Sequence, residues 1–590
     1  MTVRNYLVTG ILLFIVAVYT GGGCGGGGGG GGGFYIPPAK PFPGMNGAST
    51  TVPAGKYNVT EMIYIDAGET LTLDPGVTLI FAQDIGIEVL SGGTLIANAT
   101  DAKPIKMTGK TRSRGFWRGI YYDNCDSAGN VLNYTTVEYA GGGTYTSGTD
   151  ACVMLDSSGF ATGTIITNCT LQQSAGYGLY MDDMTAMPEF ESNTITKNAL
   201  GAAWGDQIVI SQLTNSSTYS GNTVDYVFVQ GDYSTFDTSH IWQAIDIPYL
   251  IEGQIYVAGG GTLTIRPGST LVFRQHASMY VEDTGGLTIA GIESQPVLLT
   301  GFDKSQGYWD GIYIVNSDSV SNIMTWTTVE YAGGYTYNSY ASNIWLDSSG
   351  SPVRLLMANC TIREGAGYGL WCDDMANLTG FSNNSITANG EYPIYIFPQT
   401  AHQLDTASDY SGNTTDYIFV QGGYTGVTSS ATWQNLNVDY YVDDTLYSSG
   451  GATLTISPGT TLVFSSIGGI EVYDDGALKA VGTTADGITF TGETQTAGSW
   501  HGIYFVNSDQ VDNVFDYVTV EYGGGTTHNG YAANIWLDSS GFTVRLTMTN
   551  SLIQHSAGWG MYKDASDGVT NDVLNENTWN NNPSGNLITN

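Results

Sequence analysis

Positive charge is the first thing this sequence lacks. Against 54 acidic residues it carries only 18 lysines and arginines, for a formal net charge of −36. Phosphate backbones would be repelled rather than neutralised, which excludes nucleic acid as a partner. Charged residues of both signs make up just 12% of the chain, and no long charged runs of helix-forming character occur. Helical bundles and charge-driven disorder are therefore both poor descriptions. The carboxylates are spread thinly along the chain, the pattern of a solvated surface.

Cysteine is scarce, at positions 24, 125, 152, 169, 360 and 372, and no two are spaced as a zinc, haem or iron–sulfur motif requires. Cys169 and Cys360 occupy equivalent positions in a repeated pattern and read as small buried hydrophobes. Cys125 and Cys152 are free to pair in an oxidising compartment, a question that spacing leaves open. No cofactor is implied.

A long hydrophobic run occurs once, from Tyr6 to Tyr19 behind Arg4, and it has the length of an export signal rather than a full membrane span. It ends in Thr20-Gly-Gly-Gly-Cys24, which resembles a bacterial lipoprotein processing site, although Gly21 stands where an aliphatic residue is usual. Residues 1–24 are thus read as a signal peptide with Cys24 as the lipidation candidate. Residues 25–49 are read as a tether, a glycine tract from Gly25 to Gly33 followed by a Pro-rich spacer. The expected location is the cell surface, with membrane contact only through that lipid, or the medium if an ordinary peptidase removes the signal.

What is abundant is repetition, with 80 glycines and 39 tyrosines distributed through it. Thr70-Leu-Thr-Leu-Asp-Pro-Gly-Val-Thr-Leu-Ile-Phe81 returns at Thr262–Phe273 and again at Thr453–Phe464. The landmarks Trp117-Arg-Gly-Ile, Trp309-Asp-Gly-Ile and Trp500-His-Gly-Ile follow in order. Val-Glu-Tyr at Glu138, Glu330 and Glu521, and Leu-Asp-Ser-Ser-Gly beginning at Leu155, Leu346 and Leu537, complete the set. Three modules result: residues 50–241, 242–432 and a shortened 433–590. Inside them a finer period of 24 residues separates Leu171 from Ile195 and Ile362 from Ile386. Short alternating segments of β-branched and aromatic residues between Gly, Asn, Asp and Ser read as strands and turns. A coil of that length cannot bury its own apolar face, so coils must stack.

These coils, with their Leu-Thr-Ile-x-Pro-Gly, Trp-x-Gly-Ile and Asn-Cys-Thr-Ile segments, resemble the right-handed parallel β-helix repeat proteins, whose fold is shared with pectin lyases and many bacterial surface proteins. The resemblance spans about residues 50–590 and implies an all-β solenoid. It leaves function open, because the fold hosts many activities. An uncapped end coil would also favour end-to-end self-association.

For polysaccharide lyases of this fold the resemblance implies clustered calcium-binding carboxylates with an arginine or lysine base on neighbouring coils. The candidates are the doublets Asp182-Asp183 and Asp373-Asp374, with Asp564 in the third module, and calcium stays open as a ligand. Adjacent residues on a strand point to opposite faces, so each doublet is expected to give one carboxylate to a shared site. Arg354 and Arg545 correspond to each other but to Gly163 in the first module, and His501 corresponds to Arg118 and Asp310, so no recurrent catalytic set emerges. A glycosidase would need two carboxylates flanking the bond. The recurrent pattern is instead an aromatic two residues before an acid: Tyr180 with Asp182, Trp371 with Asp373, Tyr562 with Asp564. If Leu179, Leu370 and Met561 face inward, rings and acids share the outer face, suited to stacking on a sugar and accepting its hydroxyls. The sequence reading is a noncatalytic surface β-helix for adhesion, envelope structure or glycan contact. A polysaccharide lyase or glycoside hydrolase is the alternative.

Overall fold

Each coil of the chain lays down three strands on three faces, and the sequence pattern shows why. In the coil Val77–Phe81, Gly86–Val89, Thr94–Asn98, the buried positions Val77, Leu79, Phe81, Ile87, Val89, Leu95 and Ala97 alternate with polar or half-buried ones. The inward residues of successive coils stack into one continuous apolar core. The computed structural model describes residues 38–143, 150–336, 340–539, 541–564, 568–569 and 571–590. Within them, residues 40–590 form one compact unit, and every pair of named strands is parallel. The solenoid is thus an all-β parallel β-helix. No helix among the described residues is long and apolar enough to cross a membrane. Cys24, the candidate signal peptide and residues 25–37 of the expected tether lie outside the described residues.

The repeated motifs fall on structural duties. Trp117, Trp309 and Trp500 are fully buried. Each stacks on the phenylalanine that ends the preceding Leu-(Ile/Val)-Phe strand, at 4.1, 4.0 and 4.4 Å, and donates its indole N–H to the backbone carbonyl of Glu138, Glu330 or Glu521. The glycine two residues on is required at Gly311, where φ is +116° and a Cβ would stand 2.8 Å from the Asn343 carbonyl. The glutamates are rungs between coils: Glu330 accepts from Thr300 on the coil before and from Arg363 on the coil after. Glu138 does the same with Thr108 and Gln172. Asn168 and Asn359, before the cysteines, turn corners in the left-handed region at φ +52° and +56°. The five described cysteines are buried and unpaired, so Cys125 and Cys152 form no disulfide.

Two expectations about organisation need correction. Lys40–Pro41 already pairs with Gly55–Val59, and Ser49–Val52 with Thr70–Leu73, so the end of the supposed tether is the start of the solenoid. The module boundaries at 241/242 and 432/433 also cut strands, Ser239–Trp242 and Ala431–Trp433. At each junction a 3-10 turn, Val209–Gln212 or Thr400–Gln403, follows a second-face strand. The second-face sheet then runs on through Val227–Gln230 and Tyr249–Ile251 to become the first face of the next module. The same exchange occurs through Tyr417–Val420 and Asp439–Val442, giving two 13-stranded sheets that each bridge two modules. Equivalent residues of successive modules therefore look out from different faces of the solenoid.

Candidate functional site

The outer surface of the second of these sheets carries a column of rings. Tyr256, Tyr280, Tyr313, Trp345, Trp371, Tyr395, Phe419 and Tyr441 are successive register partners on eight neighbouring strands. In-register parallel pairing puts like positions one above another, so an outward aromatic repeated at one position per coil must stack. Centroid separations are 6.1 Å for Tyr280–Tyr313, 6.3 Å for Tyr313–Trp345, 4.4 Å for Trp345–Trp371 and 5.1 Å for Trp371–Tyr395. Two residues further along the strands, on the same surface, stand Glu282, Val315, Asp347, Asp373, Phe397 and Gln421.

Two cavities open on this surface and meet at Asp347. The first, about 330 Å³, is bounded by Tyr280, Tyr313, Trp345, Tyr335, Asp310 and Asp347. The second, about 310 Å³, lies between Asp347, Trp371, Asp373, Tyr395, Gln421 and Tyr424. At the rims Tyr335 is 55% exposed and Tyr424 83%, while Trp371 at the bottom is 6% exposed. The Trp371 indole N–H is buried without a hydrogen-bond partner. Tyr395 donates its hydroxyl to Gln421. Asp310 accepts from or pairs with His276 at 3.3 Å, and burial raises its carboxyl above the ordinary range while that contact opposes the rise. Burial, and then the Asp310 charge, push the Tyr313 hydroxyl upward in the same way.

The three modules supply internal comparisons. Tyr121 donates its hydroxyl to Asp156 Oδ2 at 2.7 Å and Tyr504 to Asp538 Oδ2 at 2.6 Å. Tyr313, their counterpart, turns to the Asp310 backbone carbonyl at 3.2 Å instead. Asp347 keeps one bond, from the Ser349 amide to Oδ1 at 2.8 Å, is only 6% exposed and borders both cavities. In the third module His528 stacks on Tyr504 at 3.9 Å. Among the described residues, the middle module alone leaves this carboxylate without the tyrosine hydroxyl.

The sequence-predicted residues are placed as follows. Tyr180, Trp371 and Tyr562 do lie off the inner core, on the outer surfaces of three sheets, but they are not equally open. Tyr180 is half-buried, stacked on Trp204 at 4.7 Å. Tyr562 is fully buried beneath Tyr531 and donates its hydroxyl to Asp564. Because the faces exchange at each junction, the three rings do not line one side of a rod, and a straight polymer along one face cannot span all of them. The doublets also depart from strand alternation, because the chain turns directly after Met181 and Cys372. Asp182 accepts from the Ser157 amide and Asp183 from its hydroxyl, so both carboxylates converge on one serine of the coil before. Asp373 and Asp374 clasp Ser348 identically, and Asp564 clasps Ser539. Asp182, Asp183 and Asp374 thus hold turns, and only Asp373 also borders a cavity.

Tyr280, Tyr313, Trp345, Asp310 and Asp347 were missed. Their signal lay in the differences between modules: position 280 is Tyr where its register counterparts are Glu88 and Glu471, and position 310 is Asp against Arg118 and His501. The residues bounding the two cavities include no lysine or arginine. No group of three His, Cys, Asp or Glu among the described residues converges as a metal would require.

Residues 235–356 match the family model of the pectate-lyase like beta helix domain, a stretch that contains the whole first cavity. Over that stretch the chain is similar to a pectate-lyase-like β-helix domain. The second cavity extends beyond the matched stretch, since Trp371 and Tyr395 follow it. No curated protein matches this chain.

Proposed function

We propose that the protein is a surface or secreted glycan-binding β-helix whose pectate-lyase-like middle module holds a sugar chain without cleaving it. The observation that carries this reading is the pair of ring-walled cavities meeting at Asp347. Rings exposed at a rim stack on the apolar faces of sugars, and carboxylates set between them accept hydroxyl hydrogen bonds. A base of the lyase kind is missing from the cavity walls, and the aspartate doublets are engaged with serines. The signal-like N-terminus and Gly-rich tract support export, with Cys24 as a lipid anchor that keeps the solenoid at a surface. Mass spectrometry of the mature N-terminus tests that part.

A hydrolase or lyase is the second reading, favoured by the family match and by Asp310 and Asp347 bordering one cavity. One experiment separates the two: the purified protein is incubated with neutral and acidic polysaccharides, with and without calcium, while binding and product release are both followed. Retention without release of reducing ends or unsaturated products supports binding. Cleavage abolished by Asp347→Asn would establish the enzyme.

A further inference from the structure

We infer that the first cavity recognises a protonated amine, with the Asp347 carboxylate as its partner; this rests on the glycan-binding reading only for what carries the amine. In the two sister modules the same carboxylate is completed by a tyrosine hydroxyl, at 2.7 and 2.6 Å. In the middle module the tyrosine has turned away, and a carboxylate that is 6% exposed keeps a single backbone amide as donor. A buried carboxylate that borders an open cavity and keeps only one donor calls for another from outside, best a charged one.

The walls decide between a hydroxyl and an ammonium. Tyr280, Tyr313, Trp345 and Tyr335 line the cavity with aromatic side chains, and Asp310 adds a second carboxyl. Aromatic faces attract cations through their quadrupole, and two acids with no lysine or arginine among the bounding residues leave the pocket's own charge uncompensated. His276, beside Asp310, is 68% exposed at its side chain and reaches that acid from the solvent side. A uronate would meet like charge here and across a chain of net charge −36. The fitting ligand is therefore an amino sugar with a free amine, or a small ammonium ion of similar size.

The test is titration of the full chain, followed by tryptophan fluorescence and calorimetry, with glucosamine oligomers, N-acetylglucosamine oligomers, galacturonate oligomers and methylammonium. Free-amine oligomers should bind about tenfold tighter than their acetylated counterparts. Asp347→Asn should erase that preference with little change in melting temperature, because an amide oxygen still accepts from Ser349, and Tyr335→Ala at the exposed rim should weaken binding without unfolding. Asp156→Asn, in the module whose tyrosine already fills the position, should leave the preference intact. Binding of methylammonium alone would assign the site to free ammonium ions; binding of the free-amine oligomers without it would assign it to amino sugars, and both uphold the amine. Equal affinity for amine and acetylated oligomers, a preference for galacturonate, or an unchanged preference in Asp347→Asn would overturn the inference. If neutral oligomers still bound in a Tyr335-dependent way, the glycan reading would stand without it. If no oligomer bound while methylammonium did, the glycan reading alone would fall.

Discussion

Replacing the same tyrosine by phenylalanine in each module should have unequal effects, and the inequality can be worked out from three hydrogen bonds. Tyr121→Phe removes a hydroxyl bonded at 2.7 Å to Asp156, with both side chains at least nine-tenths buried. A buried bond to a charged acceptor is worth about 1.5–3 kcal/mol, and the abandoned carboxylate keeps its desolvation cost. Tyr504→Phe removes the matching bond to Asp538 at 2.6 Å, from a ring that is only half-buried, so its cost falls toward the lower end of that range. Tyr313→Phe removes a 3.2 Å bond to a backbone carbonyl, worth about 0.5–1 kcal/mol. The first two variants should thus exceed the third by roughly 1 kcal/mol. A long solenoid need not unfold as one unit, so a single melting curve would blur the difference. Native-state hydrogen exchange resolves it, because the strands Gly119–Asp123, Gly311–Val315 and Ile503–Val506 each report on their own coil. Protection should fall by about tenfold or more in the first and third strands for their own substitutions, and by only about two- to fivefold in the second. Equal losses at all three, or the greatest loss at Tyr313, would show that Tyr313 completes Asp347 in solution as its counterparts do in the sister modules.

Other consequences follow from the same geometry. Gly311→Ala should destabilise its coil by more than about 2 kcal/mol, seen as local loss of exchange protection, because it joins left-handed strain to a close approach to the Asn343 carbonyl. The thiols of Cys152, Cys169 and Cys360, pushed up to about 12 by burial, should resist alkylating and disulfide reagents in the native protein and react fully in denaturant. The carboxyls of Asp206, Glu252, Asp443 and Glu471 are raised by burial, so their ionised forms cost the folded state stability above their raised pKa values. That cost is relieved as pH falls through the raised range toward the unfolded values, and protonation also reduces the net negative charge. Thermal stability should accordingly rise as pH falls from neutrality toward the unfolded carboxylate values of about 4, and a monotonic fall over that interval would contradict the assignment.

Much of the architecture was legible because it is local. Alternation, turn residues and the three-fold recurrence of Trp-x-Gly-Ile were enough to infer stacked coils, and the duties of Trp309, Gly311 and Glu330 follow once the coils are stacked. The exchange of faces was not legible. It depends on how many faces the chain traverses per module, which is settled at Val209–Gln212 and Thr400–Gln403, where short 3-10 turns replace strands without any break in hydrophobic pattern. For the site, the pairing of Trp371 with Asp373 was visible in the spacing, and both do border a cavity. The misreading of the doublets came from extending strand alternation past Met181 and Cys372 into a turn. Asp347 was seen only as part of a recurrent Leu-Asp-Ser-Ser-Gly motif. What distinguishes it is the direction of a hydroxyl on the neighbouring coil, a matter of side-chain packing that repetition conceals.

The central claim, that the middle module alone offers an open glycan site, is tested most directly by a hydrogen-exchange footprint of the intact protein with and without saturating oligosaccharide. Protection should appear in Gly311–Val315, Ser342–Asp347 and Tyr368–Cys372 and not in their counterparts Gly119–Asp123, Ala151–Asp156 and Tyr177–Met181. A footprint spread equally over the modules, or one confined to another face, would contradict it.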